Sequence, residues 1–350
     1  MLKASYQKYV LDFKRASGTS RGVLTQKETW FLILEKDGKK CIGECGILRG
    51  LSIDDRPDYE AKLQWVCQNI HLGKQKLYDS LIEFPSIQFG VEMAFLSLEK
   101  ENPLELFPSD FTSNKKSIPI NGLVWMGEPI FMKEQIEQKI TEGFNCIKLK
   151  IGAIDFDKEL ELLQFIRTHF DTNTIEIRVD ANGGFSAEEA LLKLNQLHQF
   201  DLHSIEQPIK QNQIAEMTKL CQQTPFPIAL DEELIGIFSL DNKAALLQKI
   251  KPQFIILKPS LVGGFQGTKE WISLAEKLNI GWWITSALES NIGLNAIAQF
   301  TFSLQSPLPQ GLGTGGLYTN NFDSPLEVKE GKLWYNTNLK WSINLQNFSI

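Results

Sequence analysis

The chain has 350 residues, 43% of them hydrophobic and 22% charged, with a formal net charge of −6. That length can bury a large core in one or two domains, and the acidic balance argues against a nucleic-acid or anionic-membrane partner. No stretch reaches the roughly 18 apolar residues of a membrane span, the first ten residues do not read as a signal peptide, and five cysteines with no CxxC pair read as reduced thiols, so a cytoplasmic protein is expected.

In chain order, residues 6–13, 28–35 and 40–47 alternate as antiparallel strands, with a loop expected over 16–25. Residues 59–70, 73–82 and 86–98 carry helical periodicity. Strands followed by helices suggest an α+β unit, and the Pro/Ser/Asn-rich stretch 102–116 is a plausible boundary. From residue 117 the rhythm changes. Strands are predicted over 118–124, 145–150, 175–180, 203–206, 228–231, 254–258, 281–285 and 310–313. Helices are predicted over 132–142, 157–170, 187–197, 214–223, 241–249 and 267–278. Eight short strands alternating with helices, and no GxGxxG opening the first helix, favour a closed barrel over a doubly wound sheet. The tail from residue 326 reads as strands that return to the N-terminal unit. The expected class is therefore α/β: a modified TIM-type (β/α)7β barrel over 116–316, an α+β capping domain over 1–115, and a tail over 317–350 that completes the cap.

The best-defined local signal is the run from Glu176 to Ser186. A strand ends on Asp180 and Asn182, Gly183 and Gly184 turn the chain, and Ser186 with Glu189 forms a capping box for the next helix. An acid where a barrel strand stops is placed for chemistry. The pattern recurs: successive strands end on Lys148 and Lys150, then Asp180, then Glu206, then Asp231 with Glu232, then Lys258. Three carboxylates from consecutive strands converge on one mouth. Their oxygens suit a hard cation, Mg²⁺ over Zn²⁺, because no histidine or cysteine joins them. Lys148 and Lys150 share one face of their strand and would point charge into the barrel, which is costly unless it has a task.

Lys-x-Lys, Asp-Ala-Asn, Ile-Glu-Gln-Pro, Asp-Glu and Lys-Pro-Ser at these spacings resemble the enolase superfamily, muconate-lactonizing subgroup. The resemblance covers nearly the whole chain. It implies Mg²⁺, with Mn²⁺ as a permissible substitute, held by Asp180, Glu206 and Asp231, and acid/base lysines at Lys150 and Lys258. Lys148, Asn182 and Glu232 would support them. A lysine base with Mg²⁺ is the general pattern for proton abstraction beside a carboxylate in this superfamily. The base amine must be neutral near pH 7, and Lys148 as a like charge, the metal and burial would all push Lys150 that way.

The segment from Ile284 to Gln299 resembles o-succinylbenzoate synthases of the subgroup, in which a Ser-rich stretch receives the substrate's succinyl carboxylate. Ser286 and Ser290, with Glu289 beside them, are the candidates here. Gly313, in the glycine-rich stretch 311–316, offers backbone N–H groups to an anion. That stretch lacks the Asp-x-Asp pair of dipeptide epimerases. The loop with Ser20, Arg21 and Gly22 resembles the mobile loop that closes over substrate in the family, which implies that Arg21 helps to close the site. The implied reaction is dehydration of 2-succinyl-6-hydroxy-2,4-cyclohexadiene-1-carboxylate, a small carboxylate, in menaquinone biosynthesis. The alternatives are an N-acylamino acid racemase or dipeptide epimerase of the same subgroup, and, in a different class, a Schiff-base barrel lyase.

Overall fold

The structure is a computed structural model that describes residues 1–19, 22–152 and 154–348. The N-terminal region opens with β1 (Lys3–Thr19), β2 (Gly22–Lys36) and β3 (Lys39–Gly46), paired antiparallel in that order. Helices α1 (Tyr59–Gln68), α2 (Lys74–Asp79) and α3 (Pro85–Glu99) follow. Alternate residues Trp30, Leu32 and Leu34 turn to one side of β2 and join Leu63, Val66, Ile87 and Val91 in a core of their own. The sheet meets α3 at two glycines. A Cβ on Gly43 would stand 1.9 Å from the Gly90 carbonyl oxygen, and one on Gly90 would stand 2.1 Å from Cys45 Sγ. The β1–β2 ribbon is longer than predicted: residues 16–19 and 22–25, expected in a loop, continue the strands. Its far end is held by the tail, because Lys14 N–H donates to the Leu317 carbonyl (2.8 Å) and Asp12 N–H to Asn320 Oδ1 (2.8 Å).

The predicted strand over 118–124 is two elements. β4 (Ile118–Pro119) pairs antiparallel with a later strand, while β5 (Gly122–Val124) starts the barrel. Pro119 has no N–H with which to carry one ladder through both. Then α4 (Pro129–Thr141), β6 (Cys146–Lys150), α5 (Phe156–His169), β7 (Glu176–Asp180), α6 (Ala187–Leu197), β8 (Ser204–Glu206), α7 (Ile214–Gln223), β9 (Ile228–Leu230), α8 (Leu240–Ile250), β10 (Phe254–Leu257), α9 (Gly264–Lys277), β11 (Gly281–Ile284) and α10 (Asn291–Leu304) alternate. Strands β5 to β11 form one seven-stranded parallel sheet in chain order. The eighth position is filled by Gln310 and Gly311, which bridge in parallel to Ile120 on one side and Thr285 on the other. Asn121 N–H donates to the Gln310 carbonyl (3.0 Å) and Gly311 N–H to the Ile284 carbonyl (2.8 Å), which closes the ring.

Helix α10 lies in a stretch for which the sequence predicted no helix. It is buried against both the barrel and the capping region, and its polar residues Asn291, Asn295 and Gln299 are uncharged and bond to the Phe322 and Leu104 carbonyls, so they do not form a solvated face. The tail strands expected from residue 326 are present, β12 (Leu326–Lys329) and β13 (Lys332–Tyr335), and they form a small sheet with β4. Flanking segments do reach the cap: Lys40 Nζ donates to the Phe348 carbonyl (2.6 Å), and Phe322 packs edge-on against Phe31. Among the described residues no helix is long and apolar enough to cross a membrane.

Candidate active site

Parallel register builds the site. Lys150 on β6 is paired with Asp180 on β7, and Asp180 with Glu206 on β8. Asp231 follows β9 and Lys258 follows β10, so the two lysine positions flank a row of three carboxylates. All three acids are withdrawn from solvent, at 0% exposure for Asp180, 1% for Glu206 and 2% for Asp231. Each carries an ammonium group. Lys148 Nζ donates to Glu206 Oε2 (2.8 Å) and Asp180 Oδ2 (3.2 Å). Lys150 Nζ donates to Asp180 Oδ2 (2.5 Å) and Asn182 Oδ1 (2.8 Å), and Lys258 pairs with Asp231. Asn182 Nδ2 donates in turn to Glu232 Oε1 (3.1 Å).

Charge and burial compete at every group. Burial alone would raise the Asp180 carboxyl, but Lys150 and Lys148 outweigh it and hold the group far below the usual carboxylate range. Glu206 goes the other way: burial, with Asp180 beside it, pushes it up to about 8 despite Lys148. Burial would lower Lys148, yet Glu206 and Asp180 lift it above an ordinary lysine. Lys258 is likewise raised, because Asp231 and Glu206 overcome its burial. Lys148, held cationic by these two carboxylates, shares Asp180 Oδ2 with Lys150.

Above this row lies a cavity whose wall includes Lys148, Lys150, Asn182 and Lys258. Leu24, Leu48 and Leu51 from the capping region close it, with Leu123, Trp125 and Leu288 from the barrel. On the arc of the barrel that runs from Lys258 round to Lys148 away from the carboxylates, it becomes polar but uncharged, at Asn121, Thr285, Ser286, Gly311, Gly313 and Thr314. One cavity therefore offers an ionic floor, an apolar roof and a hydrogen-bonding end.

Residues 131–339 match the family profile described as "Enolase C-terminal domain-like". The o-succinylbenzoate synthase of Desulfotalea psychrophila is 48% identical over 95% of this chain and 98% of that protein. The chain belongs to the enolase superfamily. The crystal structure of MenC from D. psychrophila superposes with a TM-score of 0.85 at 45% identity, covering 95% of this chain and 99% of that one. An L-Ala-D/L-Glu epimerase from Bacillus subtilis, 19% identical by structure with a TM-score of 0.81, shares the fold across 98% of this chain and 97% of its own.

Members of this superfamily use Mg²⁺. Among the described residues no three acidic, histidine or cysteine side chains are grouped closely enough to hold an ion, because the ammonium groups are seated on the carboxylates. The donor chemistry fits a hard cation all the same. Three buried carboxylates arrive from consecutive strands, and Glu206 Oε1 is buried with no hydrogen-bond partner.

The residues expected to receive substrate separate into groups. Ser286 and Gly313 face the cavity. Ser286 Oγ donates to Glu289 Oε2 (2.6 Å) and accepts from Thr314 Oγ1 (2.9 Å). Glu289 lies behind that wall, 1% exposed, and also accepts from Ser260 Oγ (2.6 Å), so it orients Ser286 and does not reach the cavity. Ser290 is a correction: it is fully buried, caps α10 through Ile292 N–H (3.2 Å) and donates to Glu44. Arg21 lies outside the described residues. Asn121 escaped the sequence reading. It is 4% exposed, faces the cavity, and its Oδ1 has no partner. The inward alternation Asn121, Leu123, Trp125 was its only signal.

Proposed function

We propose that this chain is an o-succinylbenzoate synthase, a hydro-lyase that converts 2-succinyl-6-hydroxy-2,4-cyclohexadiene-1-carboxylate to o-succinylbenzoate in menaquinone biosynthesis. The observation that carries this is that Lys150 and Lys258 reach one cavity from either side of three buried carboxylates, in a chain 48% identical to a curated o-succinylbenzoate synthase. Residues 1–115 with the 317–350 tail are taken as the cap and 116–316 as the catalytic barrel. The protein is placed in the cytoplasm.

In the uncharged form, Lys150 takes the proton from the ring carbon that bears the carboxylate. The electron pair left behind spreads into that carboxylate and then forms the new ring double bond as the neighbouring carbon–oxygen bond breaks. The departing hydroxide takes the same proton back from Lys150, so one water is lost and the base is restored. Lys258, held cationic by Asp231 and Glu206, stabilises the anionic intermediate by its charge. Asp180, Glu206 and Asp231 would hold Mg²⁺, or Mn²⁺ in its place, and the ion would offset the charge that develops on the substrate carboxylate. Asn182 and Glu232 keep the Lys150–Asp180 edge oriented. The leucines and Trp125 exclude water from the ring, and Ser286 with the amides near Gly313 receives the succinyl end.

Racemisation of N-acyl amino acids is a second activity that the same pair of lysines supports, one for each face of the carbon. The deciding experiment is formation of o-succinylbenzoate by the purified protein with added Mg²⁺. Turnover lost on chelation and in Lys150→Ala is the expected result. No turnover by metal-loaded wild type would sink the synthase assignment. Borohydride trapping of a substrate adduct that is indifferent to chelator would point to the Schiff-base lyase instead.

A further inference from the structure

The cap carries a carboxylate with no part in the chemistry above. Glu44, on β3, is fully buried, and both of its oxygens are spent across the boundary between cap and barrel. Oε1 accepts from Thr29 Oγ1 (3.0 Å) on β2 and from Ser290 N–H (2.9 Å). Oε2 accepts from Ser290 Oγ (2.5 Å) and from Gly293 N–H (2.8 Å). It therefore satisfies free N–H groups of the first turn of α10, where helix polarity favours an anion. The approach is close: a Cβ on Gly293 would stand 2.7 Å from Oε2. Beside it Lys27 is 4% exposed, and its Nζ makes no hydrogen bond. Lys27 Nζ and Glu44 Oε1 lie 2.6 and 3.7 Å from the point where a Cβ on Gly46 would be, so the ammonium balances the buried charge through space.

The residue before Ser290 is Glu289, whose carboxylate is gripped by Ser260 and Ser286, and Ser286 faces the cavity. A single unbroken path runs from the capping sheet through Glu44 to Ser290, Glu289 and Ser286. We infer that Glu44 is a positioning residue for substrate: it sets the start of α10 from across the domain boundary and so fixes where Ser286 stands. This rests on the reading that Ser286 meets the substrate's succinyl arm. It makes the cap a determinant of binding through the barrel loop that it clamps, beyond the leucines it lays over the ring.

The test compares wild type, Glu44→Gln, Ser286→Ala and the double variant. Glutamine keeps the shape and one acceptor oxygen, but its amide nitrogen cannot accept from Ser290 Oγ and Gly293 N–H. The expected result is a KM about tenfold higher with kcat within about threefold, since contacts remote from the reacting carbon are lost. KM of the double variant should be no higher than that of Ser286→Ala. Effects on KM that multiply, or an unchanged KM with only a lower melting temperature, would overturn the inference and leave Glu44 a structural cap. Hydrogen–deuterium exchange over residues 285–293 gives a readout that needs no substrate. It should quicken in Glu44→Gln while the peptides of α6 and α7 stay as in wild type, and no local change would refute the clamp. If wild type turns over no substrate, the synthase assignment falls and exchange alone decides the clamp. Should Glu44→Gln not fold, Thr29→Val removes one donor to the same carboxylate and should shift KM and exchange in the same direction by less.

Discussion

At the scale of single residues, the site is a problem in charge compensation. Three carboxylates in near-complete burial would repel one another strongly, and three ammonium groups hold them together. Even so the compensation is uneven, since Glu206 keeps one buried oxygen without a partner and is pushed up to about 8 by burial and by Asp180. A divalent cation and the lysines therefore compete for the same oxygens. Removing Lys150 should leave Asp180 Oδ2 with Lys148 alone and make the row more negative. Titration calorimetry should then find that Lys150→Ala binds Mg²⁺ at least as tightly as wild type while it forms no product. Binding more than about threefold weaker would show that the lysine helps to build the cation site, and this account of the charges would be wrong.

At the scale of elements, the turn after β3 shows how a buried acid anchors part of the roof. Leu48 and Leu51 close the cavity, and three residues further on Asp54 Oδ2 accepts from Ser86 N–H (2.9 Å) and Ser86 Oγ (2.6 Å) at the start of α3. Burial raises the Asp54 carboxyl to about 6 from 3.8, against the lowering effect of the Ser86 bonds. The folded protein thus binds this proton more tightly than the unfolded chain does. The associated stability is fully present below pH 3.8 and is lost as pH rises through 6. Asn in that place can still accept from Ser86 and carries no charge. Urea melts should show Asp54→Asn gaining on wild type by about 3 kcal/mol between pH 3.5 and pH 7. A difference that does not vary with pH would mean that Asp54 is not the titrating group. The elements differed in how plainly the sequence announced them. The bounds of α6 and α7 were read to the residue, because each has one apolar face and Ser186 marks the start of α6 through Glu189 N–H (3.3 Å). Helix α10 was missed because its polar positions Asn295 and Gln299 are buried and uncharged, so no charged, solvated face sets off its apolar one, and Ser290 was misread because its partner, Glu44, is remote in sequence. The acid row was legible because strand ends are local features. Asn121 and the leucine roof were not, since only the closed ring and the docked cap bring them to the lysines.

At the scale of the whole molecule, cap and barrel are distinct in topology but not in packing. Phe31, Ile33, Ile42, Phe89 and Met93 of the cap share one continuous core with Phe265, Ile292 and Phe300 of the barrel. Phe89 meets Phe265 edge-on at 5.3 Å, and Phe265 lies 4.7 Å from Phe300. Tyr78 OH donates to the Gly263 carbonyl (2.7 Å), and Glu92 accepts from Phe265 N–H (2.6 Å) at the start of α9. The tail adds a second tie. Asn320 stands in for a strand neighbour of β1, accepting from Asp12 N–H (2.8 Å) and donating to the Val10 carbonyl (2.8 Å). An interface this apolar should make the two parts unfold together, although chains of this size often do not. Four buried free thiols report on the parts separately, Cys41 and Cys45 in the cap and Cys146 and Cys221 in the barrel, and Cys45 and Cys221 serve as the reporters in a chain whose other cysteines are replaced by Ser. Thiol labelling along a denaturant series should give one midpoint for both. Asn320→Ala leaves two backbone groups of β1 without their partner and should lower that shared midpoint, by about 1–3 kcal/mol of stability. Labelling of Cys45 ahead of Cys221, with or without Asn320→Ala, would mean that the cap opens by itself and that the shared core does not couple the two.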